Sequence, residues 1–247
     1  MNHITLKNVD KNFQGLSILK SMDFSIEEGE FVGFLGPSGC GKSTLLSMIA
    51  GLMTPTCGYV ENTFPKKSMS FVFQEASLMP WQTVEKNIAL PLELLNQPKE
   101  QIENSVELKL ETFGLKEFRN FTPQNISGGM KMRTSLARAL VSQPSLLLLD
   151  EPFSSLDETL RERCAQEVYD IWSLKKLTAI LVTHSVPEAV ALCDKIFILS
   201  HRPSTILEII DVKKELGEKK GPFFRDSEKF HLITKKVRNF METKVYV

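Results

Sequence analysis

Apolar residues near both ends of the chain recur at every second position or fill short uninterrupted runs, as they do in β-strands. Residues 4–9 alternate, and residues 24–35 hold two strand-like runs separated at Gly29. The second run, 31–35, is almost wholly apolar, which is typical of a strand covered on both faces of a sheet. The same patterns predict further strands at 70–73, 146–149, 179–182 and 195–199.

Helical signals separate these strands. A helix is predicted from Lys42 to about Ala50, and a capping-box sequence at Ser185 predicts another helix start. Residues 83–142 carry helical periodicity with few strand signals, so we interpret them as a helical insertion between strands of one sheet. Three prolines are predicted to break this segment: Pro91, Pro98 and Pro123. Alternation of strand and helix elsewhere predicts an α/β fold with a mostly parallel sheet.

The composition is that of a globular protein. The 247 residues are 42% hydrophobic and 24% charged, and 30 Lys and Arg balance 30 Asp and Glu. A general nucleic-acid binder usually shows a basic excess, so this balance argues against one. The sequence predicts no membrane-spanning helix and no signal peptide, and hence a cytosolic chain. Scattered cysteines predict free buried thiols at Cys40, Cys57, Cys164 and Cys193.

The strongest chemical signal is a glycine-rich segment between a predicted buried strand and a predicted helix. Gly36-Pro37-Ser38-Gly39-Cys40-Gly41-Lys42-Ser43-Thr44 matches the pattern G-x-x-x-x-G-K-[ST]. Glycines let backbone N–H groups approach phosphate oxygens, and the following helix dipole favours an anion. Lys42 is predicted to bind the β- and γ-phosphates, and Ser43 to ligate Mg²⁺. Oxidation sensitivity of Cys40 is a further hypothesis.

A second candidate site lies where an apolar strand ends in two acids. Asp150 and Glu151 follow the run 146–149, at the sheet edge where α/β proteins bind ligands. Asp150 is predicted to hold Mg²⁺, and Glu151 to orient or deprotonate a water. His184 ends another predicted strand and is either a γ-phosphate contact or a structural histidine. The segment Ser127-Gly128-Gly129 opens a helix and predicts a second anion site.

Together with Gln74, which follows the strand at 71–73, these ordered motifs resemble the ATP-binding subunit of an ABC transporter over residues 2–211. The resemblance implies a P-loop NTPase fold with a mostly parallel core sheet, an N-terminal antiparallel β portion and a helical insertion at about 75–145. It implies an ATPase domain over residues 1–210. Residues 211–247 form a charged tail whose apolar positions predict an amphipathic helix, docked on its own domain or contacting a partner: Phe230, Ile233, Val237 and Phe240.

The resemblance also implies the roles of individual residues in the hydrolysis of ATP with Mg²⁺. Glu151, His184 and Lys42 are the implied catalytic residues. The implied ATP contacts are Phe13, stacked on adenine, then residues 36–44, Gln74 and the signature Ser127, Gly128 and Gly129. The implied Mg²⁺ ligands are Ser43, Gln74 and Asp150. Asp157 is implied to lie in a loop that links two sites.

Partners are implied in the same way. They are a second copy of the chain in a head-to-tail dimer, an integral-membrane permease contacted by Gln74, and, indirectly, an extracytoplasmic solute-binding protein, with no nucleic acid. This places the chain at the cytoplasmic face of the cell membrane. Trp81 either lines a groove for a permease helix or is a core aromatic. Asn125 departs from the usual signature pattern, which puts a polar link from the signature helix in doubt.

Three segments resemble the importers of nitrate, sulfonate and taurine: 73–84, 183–190 and 200–203. We therefore expect an ATPase that energises import of one of these or a related small solute. The alternatives are an ABC ATPase for another cargo such as lipid, a non-transport ABC ATPase acting on nucleic acid, and a P-loop kinase or GTPase.

Overall fold

A computed structural model describes residues 3–175, 177–216, 225 and 227–245. The strands in chain order are β1 (His3–Phe13), β2 (Leu16–Glu27), β3 (Phe31–Leu35), β4 (Cys57–Asn62), β5 (Met69–Val72), β6 (Leu146–Asp150), β7 (Thr178–Thr183), β8 (Lys195–Leu199) and β9 (Ile206–Asp211). The helices are α1 (Lys42–Ile49), α2 (Val84–Leu94), α3 (Lys99–Thr112), α4 (Gly128–Val141), α5 (Glu158–Lys175), α6 (Val186–Leu192), α7 (Val212–Leu216) and α8 (Glu228–Phe240).

The chain divides into two compact units. The first contains residues 1–64 and 169–247, and the second contains residues 65–168. Strands β3, β7 and β8 of the first unit pair in parallel, and so do β5 and β6 of the second. The predicted fold class is therefore confirmed, including the antiparallel N-terminal portion described next.

Two sheets organise the first unit. An antiparallel sheet has the order β2-β1-β4, and Ile4, Leu6 and Val9 of β1 are fully buried on its inner face. In the other sheet β3 pairs in parallel with β7 and β8, while β9 pairs antiparallel with β8. All five residues of β3 are buried, as its apolar run predicts.

The tail helix α8 belongs to this first unit and packs against α6 and α7. Three of its four predicted apolar positions are buried, namely Phe230, Ile233 and Val237, and Phe240 is half-buried. Lys236 Nζ lies 2.6 Å from Glu215 Oε1 of α7, which adds an exposed ion pair to the apolar contact.

The second unit combines two parallel strands with three helices. Strand β5 pairs with β6, and α2 packs against both α3 and α4. Pro98 and Pro123 stand at helix starts, but Pro91 lies inside α2, so the predicted break there is wrong. A proline removes one helical N–H, and this helix nevertheless continues past Pro91 to Leu94, with Ile88 and Leu92 buried.

Two further expectations from the sequence need correction. Strands β4 and β9 escaped prediction because both are exposed along most of their length and lack a clean alternation. Cys57, on β4, is exposed, whereas the other three cysteines are buried as expected. Among the described residues, no helix combines the length and hydropathy that a bilayer crossing requires.

Candidate nucleotide-binding site

The predicted phosphate loop connects the buried strand β3 to α1. Lys42 is 4% exposed, and its ammonium donates hydrogen bonds to the carbonyls of Gly36 and Pro37, both at 2.8 Å. The loop thus closes around its own cation. Gly41 precedes α1 at φ 113°, and no side chain in the described chain caps that helix. Its first turn therefore presents backbone N–H groups to the loop, as an anion site requires.

The surrounding strands pack closely on two glycines of the loop. A Cβ on Gly41 would lie 2.7 Å from Ile18 Cγ2 of β2, and the φ of 113° at Gly41 strains any residue with a side chain. A Cβ on Gly36 would lie 3.1 Å from Leu199 Cβ of β8, a tight contact that Leu199 would have to relieve by a small shift. Neighbouring strands therefore limit which residues these two loop positions accept.

The turn after β8 supports the same loop. Ser204 donates its backbone N–H to Ile18 O at 2.8 Å, and its hydroxyl donates to Ser200 O at 3.1 Å. Arg202 Nη2 lies 3.5 Å from the position that a Cβ on Gly39 would take. From the sequence, residues 200–203 could be interpreted only as part of the resemblance to one group of importers. Their position beside the phosphate loop depends on tertiary packing and could not be predicted.

His184 stands beside the phosphate loop at the carboxyl edge of the sheet. Leu35, which precedes the loop, pairs with Thr183, which precedes His184. The Thr183 hydroxyl donates to Glu188 Oε2 at 2.7 Å and accepts from the Ser185 N–H at 3.0 Å. The predicted helix start at Ser185 is confirmed, since its Oγ accepts from Glu188 N at 3.4 Å. The buried Glu188 carboxylate thus holds the Thr183 side chain, and the Thr183 hydroxyl in turn binds the Ser185 N–H on the other side of His184.

In the second unit, parallel pairing brings Gln74 and the acids to one edge. Val72 of β5 pairs with Leu149 of β6, so Gln74 and Asp150 follow neighbouring strand ends. Asp150 is 5% exposed, and Glu151 has φ 47°. A left-handed conformation costs about 1–2 kcal/mol for a residue with a Cβ. Two bonds from Ser154 to the Glu151 carbonyl, of 3.2 Å from N and 2.9 Å from Oγ, hold this turn.

The signature serine begins a helix. Ser127 is exposed, and its Oγ caps α4 by accepting from Met130 N at 3.3 Å. Asn125 donates to Thr122 Oγ1 at 3.3 Å, which is a local bond that makes no link to α4. Asp157 caps α5 by accepting from Leu160 N at 3.0 Å.

The two aromatic residues with a contact implied by the sequence, Phe13 and Trp81, are both exposed. Phe13 at the end of β1 is 41% exposed, with Lys11 Nζ 4.8 Å from its ring centroid, so one ring face is covered by a cation. Trp81 is 75% exposed, and the interpretation of it as a core aromatic is wrong. Its ring is therefore accessible to another molecule.

A family model described as ABC transporter matches residues 19–154. The chain belongs to the ABC transporter family. It is an ATPase subunit of that family and binds ATP. The match spans more than half of the chain and contains both the phosphate loop and the two acids, Asp150 and Glu151, at the end of β6.

Individual relatives agree with this ABC assignment. The chain is 40% identical over 243 residues to the aliphatic sulfonates import ATP-binding protein SsuB of Bacillus cereus, covering 95% of this chain and 94% of that one. It is 41% identical over 222 residues to the bicarbonate transport ATP-binding protein CmpC of Synechococcus elongatus, covering 83% of this chain and 34% of that one. The dimeric ATP-binding cassette MJ0796 bound to ADP and Pi has a TM-score of 0.78 at 29% identity, over 85% of this chain and 98% of that one.

The thiols of this ABC ATPase are expected to differ sharply in reactivity. Cys40 is 1% exposed, and burial raises the pKa of its thiol, while Cys57 is exposed. Burial likewise raises the pKa of Cys164 to about 11. Since the accessible thiolate is the reactive species, iodoacetamide is expected to modify Cys57 first. Mass spectrometry of tryptic peptides checks this order, and modification of Cys40 before Cys57 would contradict it.

Truncation of Glu188 is expected to destabilise the ABC ATPase and slow hydrolysis. Glu188→Ala leaves the Thr183 hydroxyl without its acceptor, which costs about 1–3 kcal/mol. For a chain of this size that corresponds to a fall in melting temperature of roughly 2–12 °C. Glu188→Gln keeps an acceptor oxygen and serves as the control, with a smaller expected shift. Equal melting temperatures of the alanine and glutamine variants would contradict the assignment.

Proposed function

We propose that this ATPase energises the import of a small anionic solute, an aliphatic sulfonate above all, through an integral-membrane permease. The observation that carries this proposal is the match to sulfonate-import ATP-binding proteins at 40% identity over almost the whole of both chains. Bicarbonate, named for another relative, is also an anion. The exposed Trp81, on the loop after Gln74, supports a docking role for that loop.

In this proposal residues of the first unit bind the nucleotide. The phosphate loop, Gly36 to Thr44, surrounds the β- and γ-phosphates, with Lys42 as the cation. Phe13 offers its exposed ring to adenine, because only one face is covered by Lys11. His184 stands next to the loop at the sheet edge and donates to the γ-phosphate.

Residues of the second unit act on the attacking water and the metal. Asp150, with Ser43 and Gln74, would hold Mg²⁺, since carboxylate, hydroxyl and amide oxygens are the ligands that this cation prefers. Bound there, Mg²⁺ would neutralise charge developing on the phosphate oxygens. Glu151 accepts a proton from the attacking water or orients it, and its turn fixes the carboxylate before the substrate arrives.

We further propose that two copies of the chain pair head to tail, at the cytoplasmic face of the cell membrane. The dimeric cassette MJ0796 bound to ADP and Pi supports pairing. Ser127, Gly128 and Gly129 of one copy would then bind the γ-phosphate held by the other. An exposed Ser127 at a helix start suits that contact, since helix N-termini bind anions. Hydrolysis removes the bridging phosphate and releases the pair.

The experiment is an uptake assay in cells that lack this chain and are complemented with the unmodified chain or with Lys42→Ala. Sulfur-labelled ethanesulfonate uptake is expected to return only with the unmodified chain. If bicarbonate uptake alone depends on the chain, the sulfonate assignment is wrong and the bicarbonate relative indicates the cargo. If neither solute depends on it, the anion-import proposal fails. An extracytoplasmic solute-binding protein is the component that would select the solute.

A further inference from the structure

The loop that carries Gln74 and Trp81 is held by side chains of two helices. Between β5 and α2 the chain forms no helix or strand in residues 73–83. Asn87 of α2 holds the second half of this loop, and Arg138 of α4 holds the first half. We call residues 73–83 the Gln74 loop.

Asn87 binds the loop where it runs into its own helix. The side chain is fully buried, accepts from Met79 N at 2.8 Å and donates to Met79 O at 3.2 Å. Its amide also donates to Gln82 O at 3.2 Å and Thr83 O at 3.0 Å. These contacts link the loop to α2, the helix that follows it directly.

Arg138 makes the contact that crosses to another helix. Its Nη1 donates to Ser77 O at 3.0 Å and its Nη2 to Ala76 O at 3.1 Å. Within the part of the chain that the structure describes, no carboxylate lies within 4 Å of this guanidinium, and burial lowers its pKa. A half-buried charge needs strong acceptors, so the two loop carbonyls are its compensation.

The carbonyls that Arg138 binds belong to a bent part of the loop. Ser77 has φ 44°, and its hydroxyl donates to Glu75 O at 3.1 Å. Among the described residues, the hydrogen bonds from α4 to the Gln74 loop are both made by Arg138. Loss of this one side chain therefore removes both hydrogen bonds between the loop and α4 while leaving the Asn87 contacts in place.

We propose that Arg138 is a positioning residue that ties the Gln74 loop to α4, so that the loop follows the helix that Ser127 begins. The inference rests on the proposed function and deepens it, because it names the route from the signature to the permease-facing Trp81. A helix transmits displacement along its length as a rigid rod, here over roughly 16 Å from residue 127 to residue 138. Engagement of Ser127 by a nucleotide thereby shifts the loop.

The two tryptophans of the chain, Trp81 and Trp172, make the test direct. Trp172→Phe leaves Trp81 as the single reporter on the Gln74 loop. In this background, with Glu151→Gln added to retain ATP, Mg-ATP is expected to change acrylamide quenching of Trp81. Arg138→Met is expected to reduce that change in quenching at least about fivefold, which is the lower end of the usual effect of one coupled site on another. The affinity for ATP is expected to change less than about threefold. Arg138→Lys keeps one bond and part of the response.

Arg133→Met is the matched control. Arg133 lies on the same helix and donates to two carbonyls, Phe113 O at 2.8 Å and Gly114 O at 3.2 Å, outside the Gln74 loop. Its response at Trp81 is expected to be full. A full response in Arg138→Met, or an equal loss in Arg133→Met, would overturn the proposal, as would a Trp81 signal unaffected by ATP binding. Failure of the proposed function looks different, because the unmodified chain would then support no solute uptake.

Discussion

Lys42→Ala is expected to lower the rate of ATP hydrolysis by at least about 10²–10³-fold, the usual cost of removing one preorganised donor to transition-state charge. The ammonium already lies inside the phosphate loop, bonded to Gly36 O and Pro37 O at 2.8 Å. A bound γ-phosphate finds this cation in place and spends little energy on reorganising it. Phosphate release under saturating Mg-ATP measures the effect.

Lys20→Ala is the control for Lys42→Ala. Lys20 is exposed on β2, and only its backbone N–H bonds the supporting turn, at Ser204 O. Its removal changes the net charge equally and is expected to leave the rate within about twofold, because exposed charges interact weakly. A Lys42→Ala rate close to that of Lys20→Ala would remove Lys42 from its assigned role. Melting curves of both variants show whether the loop still folds.

The phosphate loop was predictable because its chemistry is local. Residues 31–50 alone determine it: they contain the buried strand, Gly39 and Gly41 with their positive φ angles, and the helix that follows. The grouping of Gln74 with Asp150 was also within reach, because parallel strands place their carboxyl ends at one edge.

Contacts between segments that are distant along the chain could not be predicted from the sequence. Nothing in residues 200–204 indicates that Ser204 bonds the carbonyl of Ile18, and nothing in α4 indicates that Arg138 reaches the carbonyl of Ala76. Tryptophan is a large apolar residue of the kind that often lies in a core, and only the tertiary structure shows that Trp81 is exposed. Long-range packing decides these features, and the local patterns used for prediction do not record it.

The Glu188 contact shows both sides of this limit. The capping box predicted the helix start at Ser185 correctly. The usual box returns its carboxylate to the N-cap N–H, but here Glu188 binds the Thr183 hydroxyl, which in turn accepts from Ser185 N. A threonine one residue before His184 thereby joins the helix cap to the candidate catalytic histidine.

Glu151→Gln is expected to slow ATP hydrolysis by about 10²–10⁴-fold, the usual contribution of a positioned general base, while ATP still binds. Glutamine has the shape of glutamate, and the bonds that hold the turn reach the backbone carbonyl of Glu151, so the φ of 47° is retained. Only the proton acceptor is lost. Because ATP bridges two copies in the proposed cycle and is no longer consumed, the variant is expected to accumulate as dimers.

Size-exclusion chromatography with Mg-ATP, followed by single-turnover measurement of phosphate release, separates these two effects. Glu158→Gln is the control, since Glu158 is an exposed acid at the first position of α5, with the same charge change. It is expected to hydrolyse ATP at an unchanged rate and to remain monomeric after turnover. Slow hydrolysis without dimers would keep Glu151 as the base but contradict the pairing, whereas fast hydrolysis in Glu151→Gln would assign the water to another residue. Dimers therefore require slow hydrolysis together with pairing through the signature, whereas slow hydrolysis alone requires only the loss of the proton acceptor.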